Sequence, residues 1–293
     1  GAKYALSGVL TSLAIVDVGL GEYAAAHARL ERVLATARQL EHPLDMANAL
    51  THLGCVYRIL AEYSTAQIHL EQALQVYQEH GRSIWESGVL CVLAGNAISQ
   101  GDLSAARFHL QAASTLLGTG ENKWLQMLVC YSPGLLAHYE GDAVAAMRLL
   151  EEATALAREG QFKPDLARSL VALGRVKRTL GQVSPASELL MEGLELFRAL
   201  GHKLGIAEAL EELGAVSAVR GDGVQAATLL SAAHTMREGI GAPLPPVDRA
   251  AYDSVLAACR AQLGEAAFAE AWAHAAARSW QEVVEEVLKL RQN

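Results

Sequence analysis

The chain has 293 residues and a formal net charge of −8, and 52% of its residues are hydrophobic but only 5% aromatic. Alanine and leucine dominate the hydrophobic share and are strong helix formers, so the composition favours an all-α fold. The acidic balance excludes a general nucleic-acid or anionic-membrane surface, and no apolar segment is long enough to cross a bilayer. The four widely spaced cysteines without a CxxC pair indicate a reducing compartment, so we expect a cytoplasmic protein.

One residue pattern recurs every 40 positions. Six copies align without an insertion, and three columns are held by glycine or alanine, by alanine and by leucine. The columns are Gly21, Ala61, Gly101, Gly141, Gly181 and Gly221; Ala26, Ala66, Ala106, Ala146, Ala186 and Ala226; and Leu30, Leu70, Leu110, Leu150, Leu190 and Leu230. Such a period is typical of a solenoid, here of helical hairpins with a tight turn at the first column.

Each repeat is predicted to contain two helices. The first helices are expected at 3–20, 43–60, 83–100, 123–140, 165–180 and 203–220, and the second at 23–38, 63–79, 103–117, 143–159, 183–199 and 223–238. Pro43 and Pro164 suit a first helical position, and a Ser-Pro pair at Ser184 marks another start. Ser83 and Glu86 have the spacing of a capping box.

In the first helices, a large residue is followed four positions later by a small one. The small residues are Ala14, Gly54, Ala94, Gly134, Gly174 and Gly214. Since positions i and i+4 share a helix face, this pattern predicts a close approach by a neighbouring helix.

Pro133 interrupts the first helix of the fourth repeat, in a column held by leucine in the other copies. A proline inside a helix costs about 3 kcal/mol. We expect a continuous helix kinked near residues 129–133. The kink either opens the groove beside Tyr131, Leu135 and His138 or is absorbed as a packing irregularity. The alternative is a break, with Ser132 capping a new helix.

The repeats occupy residues 1–240 and end at a proline-rich linker, 241–249. A seventh, irregular hairpin is predicted at 250–278, followed by a capping helix at 279–293. Ser279 and Glu282 form a capping box at its start. A solenoid needs such an end, because its last hairpin has no successor to cover it.

The second repeat resembles the tetratricopeptide repeat family. The residues that carry the resemblance are Leu53, Gly54, Tyr57, Ala66, Leu70 and Ala73. The period is six residues longer than the family's 34, and the usual closing proline is absent at Gln78. The resemblance implies a right-handed α-α superhelix of about seven hairpins plus a C-terminal capping helix. It also implies a concave groove, lined by the first helices, that binds a partner.

The groove-facing positions of the family map onto an inner wall that is apolar in the early and middle repeats, basic in the fifth and acidic in the sixth. The candidate binding residues are Asn48, Thr51, Arg58, Cys91, Ile98, Leu128, Tyr131, Leu135, His138, Arg168, Arg175 and Arg178. The three arginines of the fifth repeat could receive a carboxylate or phosphate. Alternatively, they pair with Glu208, Glu211 and neighbouring residues across adjacent helices.

Nothing in the sequence indicates catalysis. The chain lacks phosphate-binding loops, zinc-protease and serine-hydrolase motifs, so we expect no enzyme, cofactor or metal. His52 and Cys55 share a helix face, but the pattern of a nucleophile and base is weak. The four cysteines lack a CxxC pair, which predicts reduced thiols.

The last thirty residues resemble the closing segment of the repeat sensor in bacterial STAND signal-transduction ATPases and maltose-activator-type, LuxR-type transcription regulators. Leu263, Gly264, Phe268, Trp272 and Ser279 carry this resemblance. It implies covalent linkage to an ATPase or DNA-binding module outside this sequence. We expect a sensor that binds a protein, peptide or small-molecule inducer; a stand-alone interaction scaffold or a peptide-pheromone-type receptor is the alternative.

Overall fold

The computed structural model describes residues 2–117 and 122–289, which contain helices and turns but no strand. The six repeats give α1 (Ala2–Gly19), α2 (Tyr23–Gln39), α3 (Pro43–Ile59), α4 (Tyr63–Glu79), α5 (Ser83–Gln100), α6 (Leu103–Leu117), α7 (Lys123–Tyr139), α8 (Ala143–Glu159), α9 (Lys163–Thr179), α10 (Val183–Leu200), α11 (Lys203–Val219) and α12 (Gly223–Ile240). After a 3₁₀ turn (Pro246–Asp248) come α13 (Arg249–Leu263), α14 (Glu265–Ala276) and α15 (Trp280–Lys289).

Consecutive helices pack as antiparallel hairpins, and each hairpin packs beside the next. This arrangement confirms the predicted all-α solenoid, and all twelve repeat helices begin and end within two residues of the expected positions. None of the helices in the described ranges is both long and apolar enough to span a bilayer.

The turn within each hairpin lies at the glycine column. The φ angles there are positive: 73° at Gly21, 61° at Ala61, 84° at Gly101, 85° at Gly141, 74° at Gly181 and 82° at Gly221. This left-handed conformation is unfavourable for residues with a Cβ, which explains why five of the six copies carry glycine.

A second column, with a 20-residue spacing, immediately precedes the helices. Its members are Glu22, His42, Glu62, Arg82, Asp102, Asn122, Asp142, Phe162, Gln182, His202 and Asp222. The carboxylate of Asp142 accepts a hydrogen bond from the backbone N–H of Ala145 at 2.9 Å, and that of Asp222 accepts one from Gln225 at 3.0 Å. Six members of the column cap their helices through a side chain: His42, Asp102, Asn122, Asp142, His202 and Asp222. This 20-residue half-repeat was not identified from the sequence.

The capping box predicted at Ser83 is wrong. Ser83 is already the first residue of α5, the N-cap position belongs to Arg82, and no side chain caps this end. Pro43 begins α3 as predicted. Pro164 is the second residue of α9, and α10 begins one residue before Ser184.

The column of small residues that contains Gly54, Gly134, Gly174 and Gly214 lets the two helices of each hairpin approach closely. A Cβ placed on Gly174 would lie 2.7 Å from the Cγ of Leu190, and one on Gly54 would lie 2.5 Å from that of Leu70. Gly134 and Gly214 have the same relation to the leucines sixteen positions later. The predicted close approach is confirmed. The glycine of the first helix and the leucine sixteen positions later, on the second helix, pack against each other.

Helix α7 passes through Pro133 without a break. The helix runs from Lys123 to Tyr139, so the expected continuous helix is confirmed and Ser132 is not an N-cap. Ser132 and Gly134 are buried on either side of the half-buried proline.

The turn of the first hairpin contacts the fifth and sixth hairpins, so the stack of six curves back on itself. A Cβ on Gly21 would lie 2.7 Å from Cγ2 of Ile240, at the end of α12. The turn at Gly201 contacts Leu20, and Lys203 Nζ lies 3.6 Å from an oxygen of Glu22. The curvature of the stack therefore brings its first turn against its last repeat hairpin.

The chain beyond α12 covers the end of the stack. Helix α14 packs against α12, and four residues of α15, Val283, Val284, Val287 and Leu288, are buried in the core of the fifth and sixth hairpins. The predicted capping box at Ser279 is confirmed. The Ser279 N–H donates to Oε2 of Glu282 at 3.1 Å, and the Glu282 N–H donates to the Ser279 hydroxyl at 3.3 Å.

Candidate binding groove

The proline-rich linker turns back into the groove. Its residues 242–245 lack helical structure, and the 3₁₀ turn Pro246–Asp248 lies against α5 on the inner wall. Ala242 is buried, and Leu244 and Val247 are half-buried. We call residues 242–248 the groove segment. It covers part of the inner wall that a solenoid offers to a partner.

Asp248 joins the groove segment to the fourth and fifth hairpins. The Tyr139 hydroxyl donates a hydrogen bond to Asp248 Oδ1 at 2.8 Å. Nη1 of Arg175 donates to the same oxygen at 3.1 Å and to the Tyr139 hydroxyl at 2.7 Å. Because the arginine and aspartate side chains are only 16% and 20% exposed, these bonds are shielded from water and strong. Tyr139 and Arg175 thus form a carboxylate site.

Glu212 holds the other side of Arg175. Nε of Arg175 lies 2.6 Å from Glu212 Oε1, an ion pair whose N–H is not aligned for a hydrogen bond. Arg178 donates to Glu212 Oε2 through Nη2 at 3.0 Å and Nε at 3.2 Å. Burial acts to raise the pKa of Glu212, but both guanidinium groups outweigh it and hold that pKa below its ordinary value. Two arginines facing one carboxylate leave a positive charge, which Asp248 neutralises.

Two neighbouring groups are fixed in their neutral forms. Burial, aided by the charge on Arg175, lowers the pKa of His138 to about 4. Burial raises the pKa of the Tyr139 hydroxyl, which therefore remains a donor at neutral pH. The carboxylate site therefore consists of one cation, Arg175, and one neutral hydrogen-bond donor, the Tyr139 hydroxyl.

A second polar group lies on the inner wall of the second, fourth and fifth hairpins. The Arg168 guanidinium lies 5.7 Å from the ring centroid of Tyr131 and pairs with Asp165 of its own helix. Burial raises the pKa of the Cys55 thiol, although the nearby charges of Arg58 and Arg168 act to lower it.

The predicted binding residues separate into three groups. Cys91 and Ile98 are 3% and 4% exposed in the hydrophobic core, so they present no surface to a ligand in this conformation. Most of the others are half-buried on the first helices: Asn48, Thr51, Arg58, Leu128, Tyr131, Leu135, His138, Arg175 and Arg178. Arg168 is exposed. The structure brings Arg175, Arg178 and His138 together around Glu212.

Two of the three fifth-repeat arginines form the expected pairs with the sixth repeat, at Glu212, whereas Arg168 pairs with Asp165 of its own helix. Arg175 and Arg178 bind Glu212 rather than Glu208 or Glu211. Glu211 instead forms a buried two-bond pair with Arg237 of α12, at 2.5 Å and 3.0 Å. Even so, burial outweighs Arg237 and raises the pKa of Glu211.

Tyr139 and Asp248 are functional candidates that the sequence reading missed. Tyr139 follows the groove column by one position, and Asp248 lies in the linker, where the repeat gives no register. The available signal was an acidic residue at the end of an otherwise apolar proline-rich stretch.

A cleft of about 510 Å³ lies behind the groove segment. Its walls are the end of α12, the start of α13 and residues 241–244, and Arg237 and Glu211 contribute to its lining. Tyr252 and Arg249 are among the α13 residues that face the cleft. The groove segment therefore separates the inner wall from a second cavity.

The four cysteines are free thiols whose pKa values are raised by burial. Burial raises the pKa of Cys91 to about 12 and that of Cys130 to about 11. Across the described part of the chain, no three His, Cys, Asp or Glu residues are arranged to hold a metal ion.

Residues 6–79, which contain most of the first hairpin and the second, match the tetratricopeptide repeat family. The chain matches no curated protein. Among solved structures, a Rap protein complexed with Competence and Sporulation Factor has a TM-score of 0.70 and 14% identity, over 97% of this chain and 76% of its own. The fold is a tetratricopeptide-like all-α solenoid, a class that typically serves as an interaction scaffold.

Two further structures share the fold. Aspartyl phosphate phosphatase F from Bacillus subtilis has a TM-score of 0.55 and 14% identity, over 87% of this chain and 71% of its own. BtubC from P. vanneervenii has a TM-score of 0.51 and 18% identity, over 80% of this chain and 90% of its own. At these identities the likeness concerns the fold alone.

Proposed function

We propose that the chain is a binding module for signalling and that its groove receives an extended peptide segment carrying a carboxylate. One observation carries the proposal: the Asp248 carboxylate of the chain's own groove segment is bound by Tyr139 and Arg175. Apart from this residue the groove segment is apolar, and its residues 242–245 lack helical structure. A segment with these properties, on a partner or a free peptide, would compete for the same site.

The charge balance supports a carboxylate as the recognised group. Arg175 and Arg178 bring two positive charges against the single charge of Glu212, and Asp248 supplies the missing negative charge. If Asp248 left without a replacement, a largely buried positive charge would be uncompensated, which is costly. Exchange for another carboxylate avoids that cost, so we expect displacement of the groove segment to require an acidic ligand.

The similar Rap protein was solved as a complex with Competence and Sporulation Factor, which supports binding by a solenoid of this kind. We further propose that the chain is the sensor of a larger STAND ATPase or LuxR-type regulator in the cytoplasm. This rests on the sequence resemblance of the last thirty residues. A phosphate loop encoded in the same reading frame would support it, and its absence there would contradict it. A stand-alone scaffold is the second candidate, favoured by the fold itself.

The test uses a fluorescent peptide with the sequence of residues 241–251, whose aspartate corresponds to Asp248. In the Asp248→Asn chain the internal carboxylate is gone, so we expect the peptide to bind at least about tenfold more tightly than to the unaltered chain. A peptide with asparagine in place of the aspartate should lose this advantage. Fluorescence anisotropy measures both affinities.

The Tyr139→Phe chain should discriminate less between the two peptides, because it lacks one donor to the carboxylate. The matched control is Arg220→Gln, a change at an exposed arginine. Equal affinity of the Asp248→Asn chain for both peptides, or binding of neither, would contradict the proposal.

A further inference from the structure

Helix α1 exposes an apolar face. Val9, Leu13 and Val16 are 55%, 41% and 55% exposed. Their spacing places them on one side of the helix, where positions i, i+4 and i+7 coincide. Ile15, which is 50% exposed, belongs to a different column, the one that contains Arg175 on the groove wall. The three residues of the first set form the outer face of α1.

Later hairpins bury the same columns. The equivalents of Leu13, which are Leu53, Leu93, Leu173 and Leu213, are at most 4% exposed, and the fourth hairpin has the half-buried Pro133. The equivalents of Val16 are all buried: Val56, Asn96, Leu136, Val176 and Val216. The equivalents of Val9 are buried at Ala49, Val89, Ser169 and Ala209 and half-buried at Val129. The face is thus exposed in α1 and largely covered elsewhere.

The second helix of the preceding hairpin packs against each later first helix. Helices α3, α5, α7, α9 and α11 contact α2, α4, α6, α8 and α10, respectively. At one of these interfaces, a Cβ on Gly205 of α11 would lie 2.5 Å from the ring of Phe197 of α10, which is fully buried. The outer face of α1 is therefore continuous with a repeat interface that the chain forms five times.

We propose that the outer face of α1 is itself a repeat interface, covered by a further helical hairpin in the same register that precedes α1 in the same polypeptide. The opposite end of the stack supports an intramolecular cover, because there the chain buries its terminal face beneath α14 and α15. A second copy of the chain would instead have to pack two identical α1 faces across a twofold axis. None of the five internal interfaces has that geometry.

The experiment compares residues 1–293 with the complete polypeptide encoded by the natural reading frame, each with and without Val16→Asp. The matched control is Ile68→Asp. Ile68 is 54% exposed and its equivalent Phe108 is 71% exposed, so this column faces solvent in successive hairpins. In the complete polypeptide, we expect Val16→Asp to lower the thermal midpoint by about 5 °C, and Ile68→Asp to have little effect. In residues 1–293 both changes should have little effect.

Hydrogen exchange gives a second measurement. The amides of α1 should exchange more slowly in the complete polypeptide than in residues 1–293, and Val16→Asp should remove this protection. Three results would overturn the proposal: a reading frame with no hairpin before α1, equal effects of the two substitutions in the complete polypeptide, or dimerisation of residues 1–293 that Val16→Asp abolishes. The last result would assign the face to a second copy.

Discussion

Arg175 and Asp248 are 73 residues apart in the chain, yet Nη1 of the arginine lies 3.1 Å from Oδ1 of the aspartate. The contact joins the fifth hairpin to a segment that follows the sixth. It exists because the linker returns to the inner wall instead of continuing along the outside of the stack. A residue from the groove wall and one from a non-repeating segment therefore form one site.

Arg175→Ala should destabilise the fold by about 3 kcal/mol, because it leaves Asp248 and part of Glu212 without their cation. Urea unfolding followed by circular dichroism measures the loss. The control is Arg148→Ala, since Arg148 is exposed on the second helix of the fourth hairpin. A loss no greater than that of the control would show that Arg175 contributes little to stability.

Asp248→Asn should release the groove segment at a cost of about 3 kcal/mol, because the amide cannot neutralise the largely buried positive charge left by Arg175 and Arg178 against Glu212. Limited trypsin digestion should then cleave after Arg249 several times faster than in the unaltered chain. Asp253→Asn is the matched control, at an exposed position on α13. Unchanged cleavage after Arg249 would show that Asp248 does not hold the segment.

Gly174→Ala should destabilise the fold by about 2 kcal/mol, because the added methyl group meets Leu190 at 2.7 Å. Gly95→Ala, within α5, meets no atom within 4 Å and should stabilise the fold by about 0.5 to 1 kcal/mol through its helix propensity. Thermal unfolding distinguishes the two. Equal effects would mean that the glycine column reflects propensity rather than packing.

His138 should make stability depend on pH. Its pKa is lowered to about 4 in the folded chain, so between pH 6.5 and 4 the unfolded chain binds more protons and the folded state loses stability as the pH falls. The pKa values of His52, His109 and His202 are also lowered and act in the same direction. The test therefore compares the unaltered chain with the His138→Gln chain. The substitution should reduce the loss in free energy of unfolding between pH 7 and 4 by about 2 kcal/mol. Parallel pH profiles for the two proteins would contradict this assignment.

Ser279→Ala should destabilise α15 by about 1 kcal/mol, because it removes one half of the capping box. Ser83→Ala should change stability by less than about 0.5 kcal/mol, since Ser83 makes no cap hydrogen bond. Hydrogen exchange of the α15 amides and thermal unfolding measure the two effects. A larger effect at Ser83 than at Ser279 would reverse the assignment of the caps.

The helices could be predicted from the repeat because each of its columns corresponds to a contact between helices that are adjacent in the sequence. Gly174 and Leu190 meet within one hairpin, so their register is fixed locally. The position of Asp248 depends on the path of a segment outside the repeat and on the curvature of the six stacked hairpins, and no column of the repeat specifies either. The predicted N-cap at Ser83 was wrong because the tight turn before α5, and not the nearest serine, determines where the helix begins.

The contact between Gly21 and Ile240 changes how the stack should come apart. In an open row of repeats each unit touches only its neighbours, so the two ends are free to fray independently. Here the turn of the first hairpin also lies against the end of the sixth, at Gly21 and Ile240. Loss of either end removes this contact, so we expect the two ends to fray less independently than they would in an open row.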